Sequence, residues 1–158
     1  MRAGLELYVT YAARRPWVPR RPQFARWAHA VLEGFTSPEV SSRHAHVLSV
    51  RVVGAARSRS LNVRYRHKDR PTNVLSFGGA GPGPDGRHYL GELVICAPVV
   101  AQEALAQGKG RESHWAHMTV HGVLHLLGFD HEIKSEARKM ESVEVQILDR
   151  LGFSDPYA

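Results

Sequence analysis

The run His121-Gly122-Val123-Leu124-His125-Leu126-Leu127-Gly128-Phe129-Asp130-His131 constrains this chain more than any other segment of it. Its histidines stand at i, i+4 and i+10. Residues four apart share a face of a helix, so His121 and His125 can aim their imidazoles at one ion. Gly128 can take the left-handed conformation that ends a helix, and the chain can then turn His131 back as a third ligand. Three imidazoles with an open fourth position form the donor set of a catalytic zinc, whereas a structural zinc usually closes with four protein ligands. Imidazoles alone also accept nickel or copper, so the spacing fixes the ligand set more firmly than the metal.

The spacing matches the long metalloprotease signature His-Glu-x-x-His-x-x-Gly-x-x-His with one change. In those proteases the residue after the first histidine is a glutamate that serves as general base. Here it is Gly122. Glycine inside a helix costs about 1 kcal/mol relative to alanine, which points to a close approach of something to the backbone there. The ligands of a metallohydrolase are present, and the base that peptide hydrolysis needs is missing.

A length of 158 residues fits one domain, 1–158, with a real hydrophobic core. Cys96 is the lone cysteine, which excludes an internal disulfide and favours a reducing compartment; it sits in the apolar run Leu93–Cys96 and reads as a small buried hydrophobe. No apolar stretch approaches the length of a membrane span, and Glu6 interrupts the first short apolar segment, so the expectation is a cytoplasmic protein with no membrane partner. Charge is uneven: residues 1–79 carry 14 Lys and Arg against 4 Asp and Glu, residues 80–158 carry 7 against 11. Basic residues gather at Arg14, Arg15, Arg20 and Arg21, and again at Arg57, Arg59, Arg64, Arg66, Lys68 and Arg70. Such clusters fit a polyanion such as RNA, although a solvated basic surface gives the same pattern.

Alternation over Leu5–Tyr11 predicts a half-buried strand, and Pro22 can open a helix running through Phe24, Trp27, Val31 and Leu32. The β-branched run Val47–Val53 predicts a second strand. A short helix is expected over 55–66, blocked by Pro71, then a short strand at Val74–Phe77. The glycine-rich stretch Gly78–Gly86 is expected to lie outside regular structure. Tyr89–Cys96 makes a fourth strand, Pro98 opens a helix through Ala106, and residues 112–127 form the histidine-bearing helix. A last helix over 134–151 carries Ala137, Met140, Val143, Ile147 and Leu151 on one stripe, with Met140 read as core. The expected fold is α/β: a small mixed four-stranded sheet packed with five to six helices, the metal site lying on a central helix and the turn after it.

Three blocks in this order, Leu61-Asn62-Val63-Arg64-Tyr65-Arg66-His67-Lys68-Asp69-Arg70-Pro71-Thr72-Asn73-Val74-Leu75-Ser76-Phe77, Gly91-Glu92-Leu93-Val94-Ile95 and the three-histidine run, resemble the bacterial YbeY family across nearly the whole chain. The resemblance implies a zinc-dependent, single-strand-specific endoribonuclease acting in small-subunit ribosomal RNA maturation and ribosome quality control. It implies one zinc on His121, His125 and His131, and a catalytic role for Arg66. The partners it implies are ribosomal RNA and the small ribosomal subunit, with ribosomal proteins or ribosome-associated GTPases as further candidates and no DNA. Two positions depart from the family's pattern: Gly78 stands where proline is common, and Glu92 where aspartate is common.

The residues allow the same chemistry. A guanidinium such as Arg66 binds two phosphoryl oxygens at once, where negative charge accumulates during phosphodiester hydrolysis. A salt bridge from Arg66 to Asp69 or Glu92 is the structural alternative. Asp130 can orient an imidazole, act as base, or form a turn. About 12 Å of helical rise separates His117 from His125, so His117 is expected in packing or a groove wall rather than on their ion. His114 is expected to be exposed near the helix start. A metalloprotease-like hydrolase and a ribosome-associated factor with structural zinc are the other readings.

Overall fold

The computed structural model describes residues 4–35, 45–129 and 133–158. Four strands form one sheet in the order β1-β2-β4-β3: β1 (Leu5–Tyr11), β2 (His46–Val53), β3 (Val74–Pro82) and β4 (His88–Cys96). β1 and β4 both run parallel to β2, and β3 pairs antiparallel with β4 as an edge strand. Five helices are present among the described residues: α1 (Arg21–Phe35), α2 (Ala55–Arg66), α3 (Ala97–Ala106), α4 (Arg111–Leu126) and α5 (Lys134–Arg150). None is long and apolar enough to cross a membrane. The expected α/β architecture is therefore present, with every anticipated strand and helix in its place.

The strand periodicity divides the apolar side chains between two faces. Leu93 and Ile95 of β4 join Leu48, Val50 and Val52 in the main core beneath α1, α4 and α5. Val94 and Cys96 point the other way, into a smaller cluster with Val53, Leu75 and, at its margin, Leu61 of α2 and Val99 of α3. Cys96 is buried, as its apolar setting predicts. Phe24, Trp27 and Trp115 meet edge to face with ring centroids 5.8 and 6.0 Å apart, tying α1 to α4.

One expectation fails. The glycine-rich stretch reads in the sequence as irregular, yet β3 continues through Gly78–Pro82 and pairs with β4 across a register shift between Gly78 and Gly81. The glycines are what permits this pairing. A Cβ on Gly79 would lie 2.5 Å from the Tyr89 carbonyl oxygen, and Gly91, at φ +136°, admits no side chain beside Phe77. Asp85 then closes the turn by accepting from the Arg87 N–H at 3.1 Å and from the Tyr89 hydroxyl.

α4 is the central helix, packed against β3, β4, α1, α3 and α5. Ten of its sixteen residues are buried, far more than one stripe would require. A Cβ on Gly122 would come within 2.7 Å of Leu93 Cδ2, so the glycine lets α4 lie directly on the sheet.

Candidate active site

The site is built where α4, the edge strand β3 and the loop after α2 converge. His67 takes the left-handed conformation at φ 59° and ends α2 just after Arg66. The following loop is tied back by two side chains on one face of α2. Ser58 Oγ donates to the Thr72 carbonyl at 3.0 Å and accepts from the Thr72 N–H at 2.9 Å, while Asn62 Nδ2 donates to the Arg70 carbonyl at 2.8 Å. Both are buried, so these bonds exchange little with water. The loop that carries Lys68 and Arg70 is thus held in one path.

Asn73 fastens the end of that loop. Its Oδ1 accepts from the Val74 N–H at 2.6 Å, and its Nδ2 donates to Glu103 of α3 at 3.1 Å. Glu103 in turn lies 2.8 Å from Nε2 of His114 on α4. His114 is therefore buried and paired, contrary to its expected exposure, because α3 covers the start of α4. The hydrogen bond from His114 lowers the Glu103 carboxyl below its ordinary range, with burial working against it.

Arg66 spans the two sides of the cleft. Its Nη2 donates to the Ser76 carbonyl of β3 at 3.2 Å, and Ser76 Oγ donates to the Gly122 carbonyl of α4 at 3.3 Å. The alternative salt bridges do not form: Asp69 pairs with Arg59 at 2.6 Å and Glu92 with Arg51 at 2.6 Å. Among the described residues, no carboxylate pairs with Arg66. Its guanidinium stays exposed at the edge of a cleft of 840 Å³ lined by Arg66, Lys68, Arg70, Asn73, Ser76, Gly78, His121, His125 and Phe129.

On the α4 side, Nε2 of His121 and Nε2 of His125 lie 3.2 Å apart. Two nitrogens bound tetrahedrally at about 2.0–2.1 Å from one ion stand about 3.3–3.4 Å apart, so the pair fits a shared zinc. His121 Nδ1 is bonded to Glu144 of α5, which leaves Nε2, the nitrogen turned toward His125, as the atom that would bind an ion. Gly128, at φ +100°, ends the helix as anticipated, with its N–H on the His125 carbonyl at 3.0 Å. Asp130 and His131 lie outside the described residues.

Behind His121 sits a second donor group. His117, His121 and Glu144 bring potential ligand atoms within 4.8 Å of one another. Glu144 is completely buried. Burial pushes its carboxyl upward, but hydrogen bonds from His117 and His121, with the Tyr157 hydroxyl, hold it down at about 2. Burial and Glu144 together push the Tyr157 phenol well above its usual range. The sequence reading missed Glu144, although a signal existed: it stands four residues after Met140 and three before Ile147, on the apolar stripe of α5, where a charge needs a partner.

The sequence matches the family model described as Endoribonuclease YbeY over residues 15–152. A protein named Endoribonuclease YbeY from Stenotrophomonas maltophilia is 50% identical over 158 residues, covering 98% of this chain and 94% of that one. One of the same name from Nitrosococcus oceani is 46% identical over 156 residues, covering 98% of this chain and 97% of that one. The solution structure of TM1509 from Thermotoga maritima shares the fold, with a TM-score of 0.56 over 94% of this chain and 91% of that one at 21% identity. With a family model spanning most of its length and two relatives near half identity, this chain belongs to the Endoribonuclease YbeY family.

Proposed function

We propose that the protein is a metal-dependent endoribonuclease that hydrolyses single-stranded RNA in the cleft between Arg66 and the His121–His125 pair. One observation carries this reading: Arg66, Lys68 and Arg70 line the same 840 Å³ cleft as the two imidazoles. Cations that bind a phosphate backbone and nitrogens that bind a metal thus face one volume. The names of the relatives support RNA as the polymer.

His121 and His125 hold the ion, with His131 as third ligand and zinc as the metal. When bound, such an ion supplies Lewis-acid polarisation of a phosphoryl oxygen and acidifies water. Lys68 and Arg70 attract and align the backbone. Arg66, parked on the Ser76 carbonyl, turns its free N–H groups to the scissile phosphate and offsets the charge that develops there. Asp130, the nearest carboxylate in sequence to a ligand, is the residue proposed to orient an imidazole or take a proton. The substrate proposed is ribosomal RNA of the small subunit, with action in its maturation and in ribosome quality control. Ribosomal proteins or ribosome-associated GTPases are the proposed protein partners, and the cytoplasm the compartment.

Cleavage of structured ribosomal RNA, with and without chelator, tests this. Wild type should cut single-stranded segments and stop on chelation, and His121→Ala should be inactive. Cleavage that persists in chelator and in His121→Ala would refute it. Casein should remain intact, because position 122 carries no carboxylate and is packed against Leu93 rather than open to the cleft.

A further inference from the structure

Glu144 is a carboxylate with no solvent exposure, lodged between α4 and α5 behind the cleft. Three donors converge on it. His121 Nδ1 meets Oε1, His117 Nε2 lies 2.9 Å from Oε2, and the Tyr157 hydroxyl donates to Oε2. His117 Nδ1 is buried and has no hydrogen-bond partner, so the proton of that ring belongs on Nε2, pointing at Glu144. Tyr157 is also 3.2 Å from His117 Nε2, which closes the group from the segment after α5.

These contacts decide between two uses of the group. A nitrogen that donates its proton to Glu144 has no lone pair left for an ion. His117 Nε2 and His121 Nδ1 are both spent in this way, which argues against His117, His121 and Glu144 as a donor set despite their proximity. The same bond keeps the His121 ring proton on Nδ1, and Nε2 lies 3.2 Å from His125 Nε2.

We propose that Glu144 and Tyr157 are positioning residues for metal binding: Tyr157 and His117 hold the Glu144 carboxylate, and Glu144 holds His121 as its Nδ1–H tautomer with the Nε2 lone pair facing the cleft. The inference rests on His121 and His125 being metal ligands. An unconstrained histidine ring prefers its proton on Nε2, so the tautomer is imposed by the carboxylate. Carboxylates that orient metal-bound histidines typically change metal affinity about 10–100-fold when lost.

The test uses the full chain and zinc alone. Zinc affinity is measured by competition with a chromophoric chelator at one pH, the His121 tautomer by imidazole nitrogen NMR of the metal-free protein, and folding by thermal denaturation. Glu144→Gln should lower zinc affinity about 10–100-fold and release the Nδ1–H tautomer. Tyr157→Phe should keep the wild-type melting temperature and lose less affinity than Glu144→Gln, yet measurably. Should Glu144→Gln fail to fold, Tyr157→Phe decides. If His125→Ala loses zinc while Tyr157→Phe and Glu144→Gln keep wild-type affinity and tautomer, positioning is refuted and the ligand reading stands. If His125→Ala keeps zinc while His117→Ala and Glu144→Gln lose it, the interior group holds the ion and both readings fall.

Discussion

Leu93 Cδ2 would stand 2.7 Å from a Cβ on Gly122, and Leu93 has no exposed surface into which it could retreat. Gly122→Ala should therefore destabilise the fold by about 1–3 kcal/mol through overpacking, despite alanine's better helix propensity. Gly122→Glu should cost more, because it adds a buried charge, and should create no peptide cleavage; thermal denaturation and a casein assay check both. At this scale the sequence was partly legible. The i, i+4 relation brought His121 and His125 together, and Gly128 ended their helix. The surroundings of α4 were not legible, because a single helix does not reveal what covers it. His114 was thus misplaced at the surface, and Glu144 was overlooked although it stood on a core-facing stripe. A cue for His114 was available: His114, His117, His121 and His125 recur at intervals of three, four and four, one continuous face of one helix.

α2 and its loop form the second element of the site, and their rigidity depends on Ser58 and Asn62. Asn62→Ala frees the Arg70 carbonyl and should cost about 1–3 kcal/mol, with weakened RNA binding, since Lys68 and Arg70 lose their fixed path. Denaturant unfolding and a filter-binding assay measure the two effects. Asn73, Glu103 and His114 clamp β3, α3 and α4 together, and this clamp is pH-sensitive. The Glu103 carboxyl is lowered in the folded state, first by His114, with Asn73 and His117 adding to it; Lys109 also faces it. A lowered carboxyl stabilises the fold at pH values above its unfolded pKa and loses that contribution as pH falls through the folded one. Stability should thus decline below the ordinary carboxylate range, and Glu103→Gln should flatten that part of the profile in thermal melts. The elements themselves were readable from period and breakers to within a residue or two at most boundaries. β3 was the exception, because glycine reads as a breaker in sequence while here it is what lets two strands approach.

Across the whole molecule, the basic first half and the acidic second half meet at the cleft: Arg66, Lys68 and Arg70 come from one, His121 and His125 from the other. No periodicity connects residues 55 apart, so their meeting was visible beforehand only through resemblance to a family, and the physical link is Ser76, which contacts Arg66 and Gly122 at once. RNA binding should weaken as salt rises, and removing one phosphate contact should reduce the slope of log affinity against log salt by about 1. The proposed site requires these two distant segments to act together. Arg66→Glu tests it most directly, with RNA cleavage, zinc content and melting temperature measured on the same preparation. Cleavage should be abolished while zinc content and melting temperature stay near wild type, and Arg66→Lys should restore only part of the activity, because an ammonium lacks the two-pronged contact. Retained cleavage in Arg66→Glu, or loss of cleavage only because the protein unfolds, would contradict the account.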